Sequence, residues 1–191
     1  MKIIKFVRQN RQFGILSILA LFILLVALFA PVIATHNPYE AVLQDALQAP
    51  GKDHLFGTDV LGRDLYSRIL YGTSTSISSA FILVSIIFII GTGLGIIAGY
   101  FGGVIEGIIM RISDIMISFP DLILVIAIAG ILGPSLGNAI IAITVVSWTK
   151  YARLARSLVL KIMQSDYIAA ARLTGSKTSH ILYCNLHLFP F

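Results

Sequence analysis

Cysteine, tryptophan and charge are all scarce in this 191-residue chain. The one cysteine, Cys184, cannot form an intramolecular disulfide, so covalent staples are excluded and cysteine usage says nothing about the redox compartment. Charged residues make up 12% of the chain and hydrophobic ones 57%, with a mean hydropathy of +0.91. Soluble domains carry about 25% charge, so this balance excludes a soluble globular domain and points to an integral membrane protein. The formal charge of +5 does not imply a nucleic-acid partner, because the 14 lysines and arginines sit at the ends of apolar runs rather than over one face. The four histidines, His36, His54, His180 and His187, are scattered, without the close pairing that a zinc or nickel cage needs; no metal site is expected from them.

Nucleotide motifs are lacking too. Gly175-Ser176-Lys177-Thr178 ends like a phosphate loop, but Ser176 stands at the second required glycine and Ala171 at the first. The chain therefore cannot hydrolyse ATP by that route. Gly93-Leu94-Gly95-Ile96-Ile97-Ala98 matches the dinucleotide fingerprint formally, with Asp114 about 20 residues further on. The apolar run around it is too long for the strand and helix of a soluble βαβ unit, which excludes that reading. No catalytic residues are expected, and the chain is not read as an enzyme.

Long apolar runs are what the sequence does have. The first, Phe13 to Ala34, holds only glycine, serine and proline among its apolar residues, enough helix to cross about 30 Å of hydrocarbon. Lys2, Lys5, Arg8 and Arg11 precede it. The run exceeds the roughly 7 to 15 apolar residues of a secretory leader, so an uncleaved anchor is expected. The segment from His36 to Ser74 is mixed and carries five acids against three bases, which places it outside by the positive-inside rule. Within it, Asp59 with Arg63 and Asp64 with Arg68 are i,i+4 pairs, and Leu61, Leu65 and Ile69 share one side. This predicts a short amphipathic helix with an Asp cap, lying on the membrane surface or merely solvated.

A second span is expected over Ile77 to Tyr100. Gly91, Gly95, Gly99 and Gly103 recur at intervals of four, which lines small residues along one helical edge and allows another helix close approach in lipid. After an inner turn with Glu106, Arg111 and Asp114, Ser118-Phe119-Pro120-Asp121 opens a third span to Leu132. Pro120 and Asp121 fit a plain helix start, with proline at the first helical position and the acid at the positive dipole end. They also fit a translocation path near the inner mouth, since an acid facing lipid costs about 2.5 to 3.5 kcal/mol at mid-membrane. A turn at Gly133-Pro134-Ser135 leads to a fourth span, Ala139 to Trp148, extended by an amphipathic stretch whose Lys150, Arg153, Arg156 and Lys161 share one arc. That arc reads as inner-leaflet anchoring or as part of a partner's docking surface. With this topology eleven of the 14 bases lie inside, so the N-terminus is expected in the cytoplasm.

The last residues change character. Ser165 or Asp166 can cap a helix of about nine residues that includes Tyr167, its face kept small by Ala169, Ala170 and Ala171, and Gly175 suits its end. A smooth short helix between two breaks fits a cleft on a partner.

Several of these segments together carry a family resemblance: Leu55-Phe56-Gly57-Thr58-Asp59 with Gly62-Arg63-Asp64, Ala98-Gly99-Tyr100-Phe101-Gly102-Gly103, Met110-Arg111 with Asp114, Phe119-Pro120, Leu132-Gly133-Pro134-Ser135, and Trp148 with Tyr151-Ala152-Arg153. The chain resembles the inner-membrane permease subunits of dipeptide, oligopeptide and nickel ATP-binding-cassette (ABC) importers, specifically the subunit with the long first outer loop. The resemblance implies an all-α, polytopic membrane protein of the type I ABC-importer permease fold, in the plasma membrane of a bacterium or archaeon. It implies an N-terminal anchor and outer loop over 1–75 and a transmembrane domain over 76–191 ending in the cytoplasmic coupling loop. It also implies as partners a second permease subunit, two ATP-binding subunits, an extracytoplasmic solute-binding protein and membrane lipid, with no nucleic acid. No cofactor is bound by the chain, ATP being used by the partner subunit. The coupling loop is then Tyr167, Ala169, Ala170, Ala171 and Gly175, although Ala169 stands where the family usually has glutamate and Pro190 falls about two residues late. About four spans of the usual six are present, so a C-terminally truncated permease is expected, either functional or a non-transporting membrane fragment. Peptide and nickel both remain as substrates.

Overall fold

A computed structural model of the protein describes residues 11–165. Among them the chain is helical, with no strand beyond one isolated antiparallel bridge between Thr58 and Asp64. The helices are α1 (Arg11–Ile33), α2 (Leu65–Phe101), α3 (Gly103–Ile117), α4 (Asp121–Leu132) and α5 (Leu136–Met163), with a 3-10 turn at Leu43–Asp45 between the first two. The chain divides into two compact units, Met1–Ile82 and Leu83–Phe191, the division falling inside α2.

In the first unit α1 is apolar around its whole circumference. Only Gly14, Ala27 and Ala30 are buried, while its leucines, isoleucines and phenylalanines are exposed. In water each Å² of such surface would be unfavourable by about 25 cal/mol, and in hydrocarbon it is the natural state of a spanning helix. Pro31, in the last turn, has no amide to donate to Ala27, and the helix stops at Ile33.

The short helix expected around residues 59–69 is replaced by something longer. Residues 59–62 form a turn in which the Gly62 amide donates to the Asp59 carbonyl at 2.9 Å. Gly62 itself sits at φ +74°, where a Cβ would lie 1.8 Å from the Val42 carbonyl oxygen. Leu61 therefore shares no helix face with Leu65 and Ile69. The helix begins after Asp64, whose carboxylate accepts the Ser67 amide at 2.8 Å as an N-terminal cap. It then runs 37 residues without a break, merging the expected surface helix with the expected second span. Two hydroxyls in its polar first half bond within the helix: Thr73 Oγ1 donates to the Ile69 carbonyl at 2.8 Å and Ser78 Oγ to that of Ser74 at 2.7 Å.

In the second unit α2 ends at Phe101, and Gly102 and Gly103, both at positive φ, turn the chain into α3. Gly103 is thus not a fourth member of a packing edge: it starts the next helix, and nothing lies within 4 Å of where its Cβ would stand. α3 and α4 meet at 92° across Ser118, Phe119 and Pro120. The Ser118 hydroxyl donates back to the Asp114 carbonyl at 2.8 Å, closing α3. Pro120 occupies the residue before α4, one place earlier than the first helical position expected for it. Asn138 then donates to the carbonyls of Leu132 and Gly133 at 2.7 and 3.1 Å, satisfying the end of α4 from the start of α5. Both α3 and α4 pack on α5.

By length and composition, two described helices, α1 and α2, are able to cross a membrane, or three spans if the bent α3–α4 pair is one. Four were expected. The difference lies in α4, whose 12 residues cover about 18 Å, and in α5, whose apolar part gives way to bases from Lys150 onward.

The glycine edge of α2 lies directly on α5. A Cβ at Gly91 would stand 2.6 Å from the Trp148 carbonyl oxygen, one at Gly95 2.3 Å from that of Ala152, and one at Gly99 2.8 Å from Val159 Cβ. Gly93, on another side of the same helix, faces open space. Gly95→Val should therefore destabilise the protein by about 2 to 3 kcal/mol, since a backbone carbonyl cannot move aside. Gly93→Val should fall within about 1 kcal/mol of the parent. Thermal unfolding of the two variants in detergent checks this, and equal losses would remove the contact from the account.

Candidate functional site

The basic side of α5 carries three ion pairs. Lys150, Arg153 and Arg156 follow one another at intervals of three and meet three acids from the preceding helices. Lys150 Nζ lies 2.5 Å from Asp121 Oδ2 at the start of α4. Arg153 pairs with Asp114 of α3 and also donates from Nε to Ser113 Oγ at 3.1 Å. Arg156 Nε donates to Glu106 Oε1 at 2.6 Å, with its Nη2 on the same oxygen. The acids arrive in chain order from the start of α3, the end of α3 and the start of α4, because the bend at Ser118–Pro120 keeps both helices against α5.

This ladder alters two expectations. Three of the four bases in the arc are paired inside the chain, so they are not simply held out toward lipid headgroups or a partner. Asp121 is similarly neutralised: its charge meets Lys150, and the cost of an isolated acid in lipid no longer requires it to face a path. The Lys150 and Arg153 pairs are about half exposed and the Arg156 pair less so, and in water each would contribute up to about 1 kcal/mol. Removing one partner near hydrocarbon costs more, because the remaining charge is then uncompensated.

Pro120 stands at the α3–α4 bend, beside Asp121. Tyr167, Ala169, Ala170, Ala171 and Gly175 lie outside the described residues.

In the first unit the 34–64 connection is organised by two aspartates. Asp59 Oδ1 accepts the amides of Leu61 and Arg63 at 2.9 and 3.0 Å, and Oδ2 accepts Arg63 Nε at 2.9 Å. The Arg63 amide, then the Leu61 amide and the Arg63 guanidinium, outweigh partial burial and hold the Asp59 carboxyl below the ordinary carboxylate range. Asp64 is almost wholly buried. Burial pushes its carboxyl up, but the Ser67 amide and hydroxyl and the His54 ring together bring it below the ordinary value. The expected Asp64–Arg68 pair gives way to these partners; Arg68 turns to Asp59 at 3.8 Å and donates to the Pro38 carbonyl at 3.3 Å.

Sequence spacing also failed for two histidines. His36 and His54 stand with ring centroids 4.7 Å apart, and His54 Nδ1 is 2.9 Å from Asp64 Oδ1. What brings them together is a set of loop bonds that no periodicity encodes: the His36 amide donates to Ser67 Oγ at 3.1 Å, and the His54 carbonyl accepts the amides of Gly51 and Gly57. His180 and His187 lie outside the described residues.

Comparison with known proteins bears on the second unit first. Residues 91–185 match the family of the binding-protein-dependent transport system inner membrane component. The chain is 40% identical over 186 residues to the dipeptide transport system permease protein DppC of Alkalihalophilus pseudofirmus, covering 97% of this chain and 60% of that one. It is 42% identical over 172 residues to the probable D,D-dipeptide transport system permease protein DdpC of Escherichia coli, covering 90% and 57%. It is 36% identical over 183 residues to the oligopeptide transport system permease protein OppC of Bacillus subtilis, covering 96% and 59%. The chain thus spans about six tenths of the length of these curated relatives.

The Asp59 turn generates an acid dependence of defined sign. A carboxyl held low in the folded loop stabilises it fully above its unfolded pKa, about 3.9, and that stabilisation is lost as pH falls through the lower folded value. Proteolysis of the 43–63 segment in the detergent-solubilised protein should accelerate as pH is lowered below about 4, with an acid-active protease as probe. In Asp59→Asn the segment should be cut faster at neutral pH and depend less on acid, and a variant with the parent's profile at every pH would show that the turn does not depend on this carboxylate.

Proposed function

We propose that the chain is the permease subunit of an ABC importer, a reading supported by the match of residues 91–185 to the family of binding-protein-dependent transport system inner membrane components. It forms half of a transmembrane pathway with a second permease subunit. Two ATP-binding subunits supply the energy, and an extracytoplasmic solute-binding protein delivers the cargo. The chain itself performs no chemistry. Di- and oligopeptides are the favoured substrate class over nickel, because the relatives compared above are named as peptide permeases.

The observation that carries this reading is the extent of the likeness, more than nine tenths of the chain in the dipeptide and oligopeptide permeases. It includes the segment Tyr167, Ala169, Ala170, Ala171 and Gly175, which we assign to the ATPase. Small side chains in this segment would offer a partner's cleft backbone-deep contact at little side-chain cost. The ion-pair ladder supports a mechanical role for α5. Motion delivered just beyond its C-terminal end would pass to α3 and α4 through Arg156–Glu106, Arg153–Asp114 and Lys150–Asp121. Pro120 and Asp121, at the bend, are the first residues of the inner mouth that such motion would displace. The basic residues before α1 favour a cytoplasmic N-terminus, and the match to an inner membrane component favours a plasma-membrane setting.

Expression with the cognate ATPase, second permease and binding protein tests the proposal. The chain should copurify with the ATPase and support peptide uptake that stops when the ATPase is withdrawn. Gly175→Trp should reduce ATPase recovery about tenfold, a loss of roughly 1.4 kcal/mol, while leaving membrane insertion intact. Uptake that persists without the ATPase would mean a self-sufficient transporter, and copurification without uptake would mean a non-transporting membrane fragment.

A further inference from the structure

We propose that His36, His54 and Asp64 form a binding site for one divalent first-row transition-metal ion, with zinc best suited to it, in the connection between α1 and α2. One ligand atom from each of the three residues lies within 4.8 Å of the other two. Two imidazoles and one carboxylate are a donor set of borderline softness, which selects zinc, cobalt, nickel or copper over calcium and magnesium. Three protein ligands leave a further coordination position to water or to an incoming group.

The trio is held as a site rather than met by accident on a surface. The Asp64 side chain is 1% exposed and that of His54 13%, so the carboxylate and one imidazole are already desolvated. Asp64 is oriented by the Ser67 amide on its Oδ2 at 2.8 Å, the kind of outer bond that fixes a ligating carboxylate. The same serine takes the His36 amide on its Oγ at 3.1 Å, so a single residue of α2 positions two of the three ligands. Ligand atoms around tetrahedral zinc stand about 3.4 Å apart, given bonds of about 2.1 Å. The site must therefore contract by up to about an ångström and a half, and His36, exposed at the end of the α1 connection, is the side chain with room to move. Binding replaces the hydrogen bond between His54 Nδ1 and Asp64 Oδ1 or draws on the other ring nitrogen, and any proton displaced goes to solvent.

The test is metal binding by the purified full chain in detergent, without a polyhistidine tag. Isothermal titration with zinc should show one equivalent bound, and cobalt should develop the visible absorption of a low-symmetry four-coordinate site. His36→Ala, a change at an exposed residue, should weaken zinc by at least about tenfold and abolish the cobalt bands. Asp64→Asn should do the same, its amide oxygen still able to accept the Ser67 amide and cap α2; helicity is measured alongside, and His36→Ala decides. A His180→Ala/His187→Ala double variant should bind as the parent does. Binding lost in that double variant but kept in His36→Ala would overturn the proposal, as would the absence of any stoichiometric zinc. Because the readout is binding and not uptake, it stands or falls separately from the transport function.

Discussion

The close approach of α2 to α5 is the constraint on which the second unit depends. Lipid tails are as apolar as leucine, so spanning helices gain little from hiding hydrophobic surface and associate through tight backbone contact. Gly91, Gly95 and Gly99 provide that contact. The Ala152 carbonyl and the Val159 side chain occupy space that any Cβ at Gly95 or Gly99 would claim. On α5 the complementary face is small too: Ala152, Ala155 and Val159 are buried, with Val146 and Thr149 a turn or two earlier. Once α5 is seated in this way, its basic side is turned toward the acids of α3 and α4.

The ion-pair ladder is thus secondary in cause though prominent in charge. Partly exposed pairs contribute little in water, yet at a membrane boundary they make three acids tolerable where unpaired they would be costly. The arrangement also explains why an acid beside a proline in an apolar run is ambiguous in sequence. Asp121 reads as a lipid-averse charge that needs a polar path, and in the folded chain Lys150, 29 residues away, supplies the polar partner.

The first unit is governed differently, by loop hydrogen bonds around two aspartates and two glycines. Gly57 and Gly62 both adopt positive φ, and both press against backbone carbonyls, of Gln48 and Val42, closely enough to exclude any side chain. Asp59 ties the turn to Arg63, and Asp64 caps α2 while meeting His54. A gathered pair of histidines beside a buried carboxylate is the chemical consequence of that folding. It arises where the Leu55-Phe56-Gly57-Thr58-Asp59 and Gly62-Arg63-Asp64 motifs close on the end of α1.

Periodicity and composition by themselves determined that the chain is helical and membrane-embedded, where α1 lies, that glycines at intervals of four make a packing edge, and that the chain turns at Gly133–Ser135. These are legible because burial in lipid and helix geometry act on contiguous residues, and a run of side chains reports them directly. What only the tertiary structure decided were the features that depend on residues far apart. The merging of a short surface helix with a span needed the turn at 59–62 and the Asp64 cap to set the start of α2. The end of the glycine edge at Gly99 needed the helix break at Gly102. The pairing of Asp121, Asp114 and Glu106 with α5, and of His36 with His54, needed separations of 18 to 50 residues to close. No local pattern encodes such closures, because each is fixed by where a turn or a helix contact places its partner.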